Sequence, residues 1–201
     1  ADVSIADFNA QDPGPIFDPA FFGIDIQRGK TSLSMKNRFD KIEGGIIAFY
    51  NFGKHDLTDG WVSNDYHAGI SIYQGLKLFQ GNNITLGADL KQVAGRGNKG
   101  LNADQWLEAS DIAGYAYIQQ TLWERLTLST GLRLENSSIF GLETVPQAGF
   151  SYFALNNTTI KGSVSKGFRS PSLMELYLYA PNPDLEPERS NNYEIGISRR
   201  S

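Results

Sequence analysis

An all-β chain of antiparallel, up-and-down strands is what this sequence predicts, from two patterns read together. Connections alternate between short and long: tight turns at 40–43, 80–83, 123–125 and 155–157, longer irregular stretches at 9–21, 54–64, 95–105, 136–142 and 170–189. Between them, apolar and polar side chains alternate with the period of two that belongs to a strand. In an up-and-down sheet every second connection falls on the same edge, so one edge is trimmed and the other decorated. Transmembrane β-barrels of the outer membrane have this asymmetry, with short periplasmic turns and longer extracellular loops. The turns and stretches divide the chain into about ten strands, read as part of a larger barrel.

Taken in order, the chain opens on the end of a strand at 3–8. Ala68, Ile70, Ile72, Leu76 and Leu78 then mark a segment nearly twice the length of an ordinary soluble strand. Such length suits a tilted strand, which crosses a bilayer in about nine to eleven residues and runs on beyond it. From 84 onward Ile84, Leu86 and Leu90 oppose Thr85, Asp89 and Lys91. After the turn at 123–125, Leu126, Leu128, Leu132 and Leu134 oppose Thr127, Ser129, Arg133 and Glu135. Ile160, Val164 and Phe168 oppose Lys161, Ser163 and Ser165, and a last strand fills 192–200. In a barrel the first set of each pair faces lipid and the second faces the lumen.

Composition sets limits. Hydrophobic residues make up 40% of the chain and mean hydropathy is −0.33, so no segment forms a transmembrane helix. A spanning strand shows lipid only every second residue, so a barrel remains open. Phe39, Phe79, Trp123 and Phe153 sit beside the short turns, while Tyr50, Phe52, Tyr66 and Trp106 lie near the longer stretches. Two interfacial belts of amphipathic rings have this distribution. A net charge of −4 leaves no nucleic-acid footprint, and the absence of cysteine excludes disulfides and thiolate metal sites. The chain begins and ends within strands, and 1–201 is expected to be one portion of a longer barrel protein.

The stretch 164–198 is the most specific. It contains Gly167, Phe168, Arg169 and Pro171, then Glu175, Leu176 and Tyr177, then Asn182, Pro183, Leu185, Pro187 and Glu188, before a strand opening on Tyr193 and Glu194. In this order and spacing it resembles the C-terminal part of the barrel of TonB-dependent outer-membrane receptors, as does the strand pair at 117–135. The resemblance implies a multi-pass barrel in the Gram-negative outer membrane, closed by a plug that this chain does not contain. It implies uptake of a scarce, bulky nutrient, first an iron chelate (siderophore or haem) or cobalamin. Energy would come from the TonB complex through a segment ahead of the plug. Expected partners are therefore TonB, a small metal-chelate ligand and outer-membrane lipid, with no nucleic acid and no cofactor. A glycan importer of the same family is the alternative. The motif residues read as structural: Pro171 suits a first helical turn, Leu173, Leu176 and Tyr177 share a helical face, and Arg169 can pair with Glu186 or Glu188.

Ligand chemistry is thinner. Arg96, Lys99, Tyr177 and Tyr179 are the loop candidates for contacting a ligand. His55 and His67 flank 54–64 beside Asp56, Asp59 and Asp65. A hairpin centred near Trp61 would set the two imidazoles opposite each other, as a transition-metal site requires. The spacing Gly95, Gly97, Gly100 matches a dinucleotide-binding motif, but no helix follows it, so it reads as a surface loop. Two other classes are weighed. A soluble lipocalin-like barrel would turn the apolar rows inward. An outer-membrane hydrolase would need a serine–histidine arrangement that the sequence does not display, so no enzyme is expected.

Overall fold

The computed structural model describes residues 1–12, 14–17, 22–155, 157–178 and 180–199. Ten strands follow one another: β1 (Asp2–Asp12), β2 (Phe22–Phe39), β3 (Ile42–Leu57), β4 (Val62–Leu76), β5 (Asn82–Gly97), β6 (Leu107–Leu122), β7 (Leu126–Ser137), β8 (Gly141–Leu155), β9 (Thr158–Arg169) and β10 (Glu188–Arg199). One helix, α1 (Leu173–Tyr177), interrupts the connection between β9 and β10. Each strand pairs antiparallel with its neighbours in sequence, giving a single sheet in the order β1 to β10. This is the up-and-down architecture that the alternating pattern predicts.

The short turns stand where the sequence places them, around 40–41, 77–81 and 123–125 and at Asn157. Asp40, Trp123, Glu124 and Asn157 take positive φ there, the left-handed backbone that matches the twist of a hairpin. The opposite edge differs from expectation. The connections at 58–61 and 138–140 are short, because pairing continues to Asp56↔Val62 and Ser137↔Gly141. Polar residues such as Asp56, Asn64 and Asn136 read as loop in sequence, yet ladder bonds are made by the main chain whatever side chain the residue carries. The asymmetry is carried by 13–21, 98–106 and 170–187.

Register assigns the faces. Leu33, Ala48, Ile70, Leu90 and Ile112 are successive cross-strand partners from β2 to β6, an unbroken apolar row. Leu86, Leu128, Leu132 and Leu134 belong to the same side and are exposed. On the other side Ser71, Asp89, Ala113, Glu135 and Glu143 are successive partners from β4 to β8. Arg133 on β7 reaches Asp89 on β5 across the whole of β6. Side chains on this face cover one another, with Asp89 13% and Glu135 15% exposed, whereas Leu90 at 55% and Ile112 at 54% stand open on the other; in a single-layer sheet the crowded face is the concave one. The polar face is therefore the hollow of the sheet and the apolar face its outside. That is the reverse of a lipocalin-like binder, and it places Thr85, Asp89, Lys91, Thr127, Ser129, Arg133, Glu135 and Lys161 on the concave side.

Outside, the apolar rows end at a ring cluster toward the loop-rich end. Tyr50 stacks on Tyr66 with centroids 5.9 Å apart, and Tyr66 meets Trp106 at 5.9 Å. At the other end Phe39, Phe79 and Trp123 are exposed beside the short turns. Both aromatic groups fall where interfacial belts were expected. Conventional core is scarce: among the described residues the buried apolar side chains include Trp61, Ala94, Ala109, Ala113, Leu173, Leu176 and Leu178. Most of them gather at the loop-rich end, beneath α1.

A candidate ligand cleft at the loop-rich end

Three connections are fastened together at that end. Asn98 donates from Nδ2 to the Gly60 carbonyl at 2.7 Å and accepts the Val62 amide at 2.9 Å. Lys99 reaches the Asp59 carbonyl at 3.0 Å and its carboxylate at 3.6 Å. Gly97 leaves room for the Trp61 ring, since a Cβ there would lie 2.2 Å from it. The 98–106 connection is joined in turn to 170–187 by a bridge between Gly100 and Leu178 and by the Leu101 amide donating to the Tyr177 carbonyl at 3.0 Å.

α1 is short and would not persist alone; its termini are secured by side chains. Ser172 is the N-cap: its Oγ accepts the Glu175 amide while Glu175 Oε2 accepts the Ser172 amide at 2.8 Å, a capping box. Pro171 consequently stands just before the cap, not in the first turn. Arg169 donates to Glu175 at 2.7 Å and to Glu188 at 3.5 Å, so its principal partner is the helix carboxylate and not Glu186. The Arg169 bond, followed by those from Ser172, holds the Glu175 carboxyl down at about 2. Leu173 and Leu176 turn inward as expected, with Leu176 1% exposed, while Tyr177 is half-buried. The Asn182 amide donates to the Glu175 carbonyl at 2.9 Å, and Asn182 itself caps the turn at Asp184.

Under this cap a cleft of about 860 Å³ opens onto the concave face. Trp61, Val93, Leu173, Met174 and Phe140 form its apolar walls, and Arg28, His55, Asp65 and His67 its polar part. This is the size and character of a small-molecule site. Arg28, Gly53 and Asp65 are successive partners across β2, β3 and β4. Arg28 Nη1 donates to Asp65 Oδ1 at 2.8 Å over the bare Cα of Gly53, where a Cβ would meet both groups at 2.5 Å. Arg28 Nη2 lies 2.9 Å from His55 Nε2. A guanidinium only donates, so Nε2 accepts and the imidazole proton sits on Nδ1. That proton faces Ser63 Oγ at 3.3 Å and Asp65 Oδ2 at 3.7 Å. The structure thus brings a serine beside a histidine, but the ring nitrogen facing the hydroxyl already carries its proton and cannot serve as a base.

The candidates from sequence are dispersed. His55 pairs with Ser63 and His67 with Asn51, because the hairpin is centred at 59 and not at 61. The imidazoles are not opposite each other, and His67 packs edge-on against Phe49 at 4.9 Å. Among the described residues no group of three or more His, Cys, Asp or Glu is arranged to hold a metal ion. Arg96 stacks over Trp106 at 5.2 Å, Lys99 is committed to Asp59, and Tyr177 contributes its carbonyl to the cap. Tyr179 lies outside the described residues. Gly95 and Gly97 belong to β5 and no helix follows Gly100, so the glycine spacing has no nucleotide-binding context. Arg28 and Gly53 were missed, while Asp65 and Trp61 were named only as a neighbour of the histidines and as a hairpin centre; cross-strand register alone brings the four together.

Residues 6–198 match the family model described as TonB dependent receptor-like, beta-barrel. An iron-regulated outer membrane virulence protein of Vibrio cholerae is 33% identical over 97 residues, covering 42% of this chain and 15% of that protein. The vitamin B12 transporter BtuB of Photobacterium profundum is 29% identical over 68 residues, covering 33% of this chain and 11% of that protein. The crystal structure of the siderophore receptor PirA from Pseudomonas aeruginosa superposes with a TM-score of 0.82 at 20% identity, over 90% of this chain and 37% of that one. At that identity the superposition establishes the fold. This chain spans well under half the length of each of these proteins; the family model describes a receptor barrel, and the PirA structure is that of a receptor.

Proposed function

The chain belongs to the TonB-dependent receptor-like β-barrel family, and from that premise we propose that it forms part of the wall of an outer-membrane receptor for an iron chelate. The observation that carries this reading is the preformed cleft at the loop-rich end, opening onto a polar concave wall. The cleft offers a ligand an apolar side at Met174 and Phe140 and a polar side around Arg28. Below it the wall offers hydrophilic side chains such as Asp89, Lys91 and Ser129, along which a released chelate can remain solvated. Energy is delivered through TonB acting on a plug, and the rest of the barrel completes the enclosure. Likeness to an iron-regulated outer membrane protein and to a siderophore receptor supports iron as the cargo metal.

The test is uptake of radio-iron chelates by iron-starved cells carrying the full-length protein, with and without functional TonB. TonB-dependent accumulation of at least one chelate is expected; equal accumulation in both strains discards the reading. Cobalamin is the second reading, favoured by likeness to a vitamin B12 transporter. Radio-cobalt cobalamin uptake in the same strains decides between them.

A further inference from the structure

We propose that Arg28 is the recognition point of the cleft, a clamped guanidinium that receives an anionic oxygen group, carboxylate or ionised catecholate, on the face of an iron chelate. This rests on the receptor reading above and specifies the ligand chemistry of the same cleft.

Two arginines line the cleft, and they differ in availability. Arg96 lies over the Trp106 ring, which belongs to the outer aromatic cluster. Arg28 stands on the concave face between Asp65 and His55, its side chain 46% exposed. Each of its terminal nitrogens is held by one partner. Of the five N–H donors of a guanidinium, two are spent and three remain for a ligand. An arginine fixed in this way offers a planar fork without first losing side-chain freedom, the arrangement that suits a carboxylate or a similar paired-oxygen group.

The partners fit that role. Among the described residues Asp65 is the one carboxylate paired with Arg28, and it is shared with a neutral imidazole, so the guanidinium is oriented without being saturated. Of the other carboxylates of the lining, Asp59 holds Lys99, and Asp111 is the cross-strand register partner of Lys91. Gly53 leaves the space in which the two heads meet. With any side chain at that position the Arg28 and Asp65 heads are pushed apart, because a Cβ would lie 2.5 Å from each. The glycine therefore holds Arg28 in place without touching ligand.

Binding to the full-length receptor in detergent, followed by tryptophan fluorescence and by calorimetry, tests the assignment. The probes are ferric citrate, a ferric tris-catecholate and a neutral ferric trihydroxamate. The wild type is expected to bind an anionic probe more tightly than the neutral one, and comparison of the first two identifies the oxygen group. Arg28→Gln is expected to weaken the preferred anionic probe at least tenfold and the neutral one less than twofold. Arg28→Lys, which keeps charge and stem but loses the fork, is expected to weaken it several-fold, and Gly53→Ala to do the same with the arginine still present. Unchanged anionic affinity in the folded Arg28 variants, or preference of the wild type for the neutral probe, overturns the proposal and leaves the receptor reading standing. Failure of all three probes to bind the wild type overturns the proposal, while the receptor reading is decided separately by TonB-dependent uptake.

Discussion

Two arginine clusters on the concave wall are built alike and placed differently. Arg133 crosses β6 to Asp89 and bonds Glu135 on its own strand, with its side chain 25% exposed and the two carboxylates at 13% and 15%. Arg28 crosses β3 to Asp65 and leans on a neutral histidine, with 46% and 38% exposed. The first guanidinium faces two carboxylates in the middle of the wall, where the pair draws alternate strands together. The second has one carboxylate and sits at the mouth of a cleft. One device, a cation reaching two strands away, thus serves curvature in one place and recognition in the other; the difference lies in how many partners it is given.

That comparison presumes both clusters face water and not lipid. Leu128→Arg should cost about 2–4 kcal/mol, against about 1 kcal/mol or less for Thr127→Arg, measured by denaturant titration of the full-length barrel in vesicles. Equal losses would place the faces wrongly and undo the comparison. Arg133→Ala should destabilise by about 2–3 kcal/mol, somewhat below the usual figure for breaking a buried pair because the group keeps partial contact with solvent. Ligand affinity should stay unaltered. Arg28→Ala should do the opposite, costing under about 1 kcal/mol of stability, as exposed pairs do, while impairing binding. If Arg28→Ala proves the more destabilising, the division of labour is reversed.

The smallest effect expected concerns the cap. Glu175 is held at about 2, below the ordinary glutamate value near 4.3. A depressed carboxyl contributes stability that is complete above the unfolded value and is lost as pH falls through the folded one. Protection of the Leu176 and Asn182 amides, corrected for the intrinsic pH dependence of exchange, should accordingly hold at pH 5 and fall only as pH drops toward 2. Glu175→Gln should raise exchange at both amides already at pH 5. If acid and substitution leave these amides equally protected, the roof of the cleft is held by Leu173, Leu176 and Leu178 alone.

Much of the wall was legible because period-two alternation is local. Leu126 to Glu135 declares its two sides without reference to any neighbour, and Asp40 and Asn157 announce turns through their tolerance of left-handed backbone. Loop limits were less legible, since Asp56, Asn64 and Asn136 are polar for reasons unrelated to pairing. The site was hardly legible at all. Arg28 and Asp65 meet only when two hairpins take their registers and Gly53 contributes no side chain. Centring one hairpin two residues late was enough to bring His55 and His67 together falsely. The motif residues from Gly167 to Glu188 marked the right segment, as the frame of the cleft and not as its contacts.

The apolar outer side continues undiminished to both margins of the sheet, through Val3 and Ile5 on β1 and Tyr193, Ile195 and Ile197 on β10. Among the described residues each of these strands has a single partner. Along its free side each one turns amide and carbonyl groups toward hydrocarbon, where every unmet group costs several kcal/mol. The seam is consequently the strongest demand this wall makes on its surroundings. Insertion into a bilayer should be all-or-none, going forward only when both selvedges are stitched to further strands.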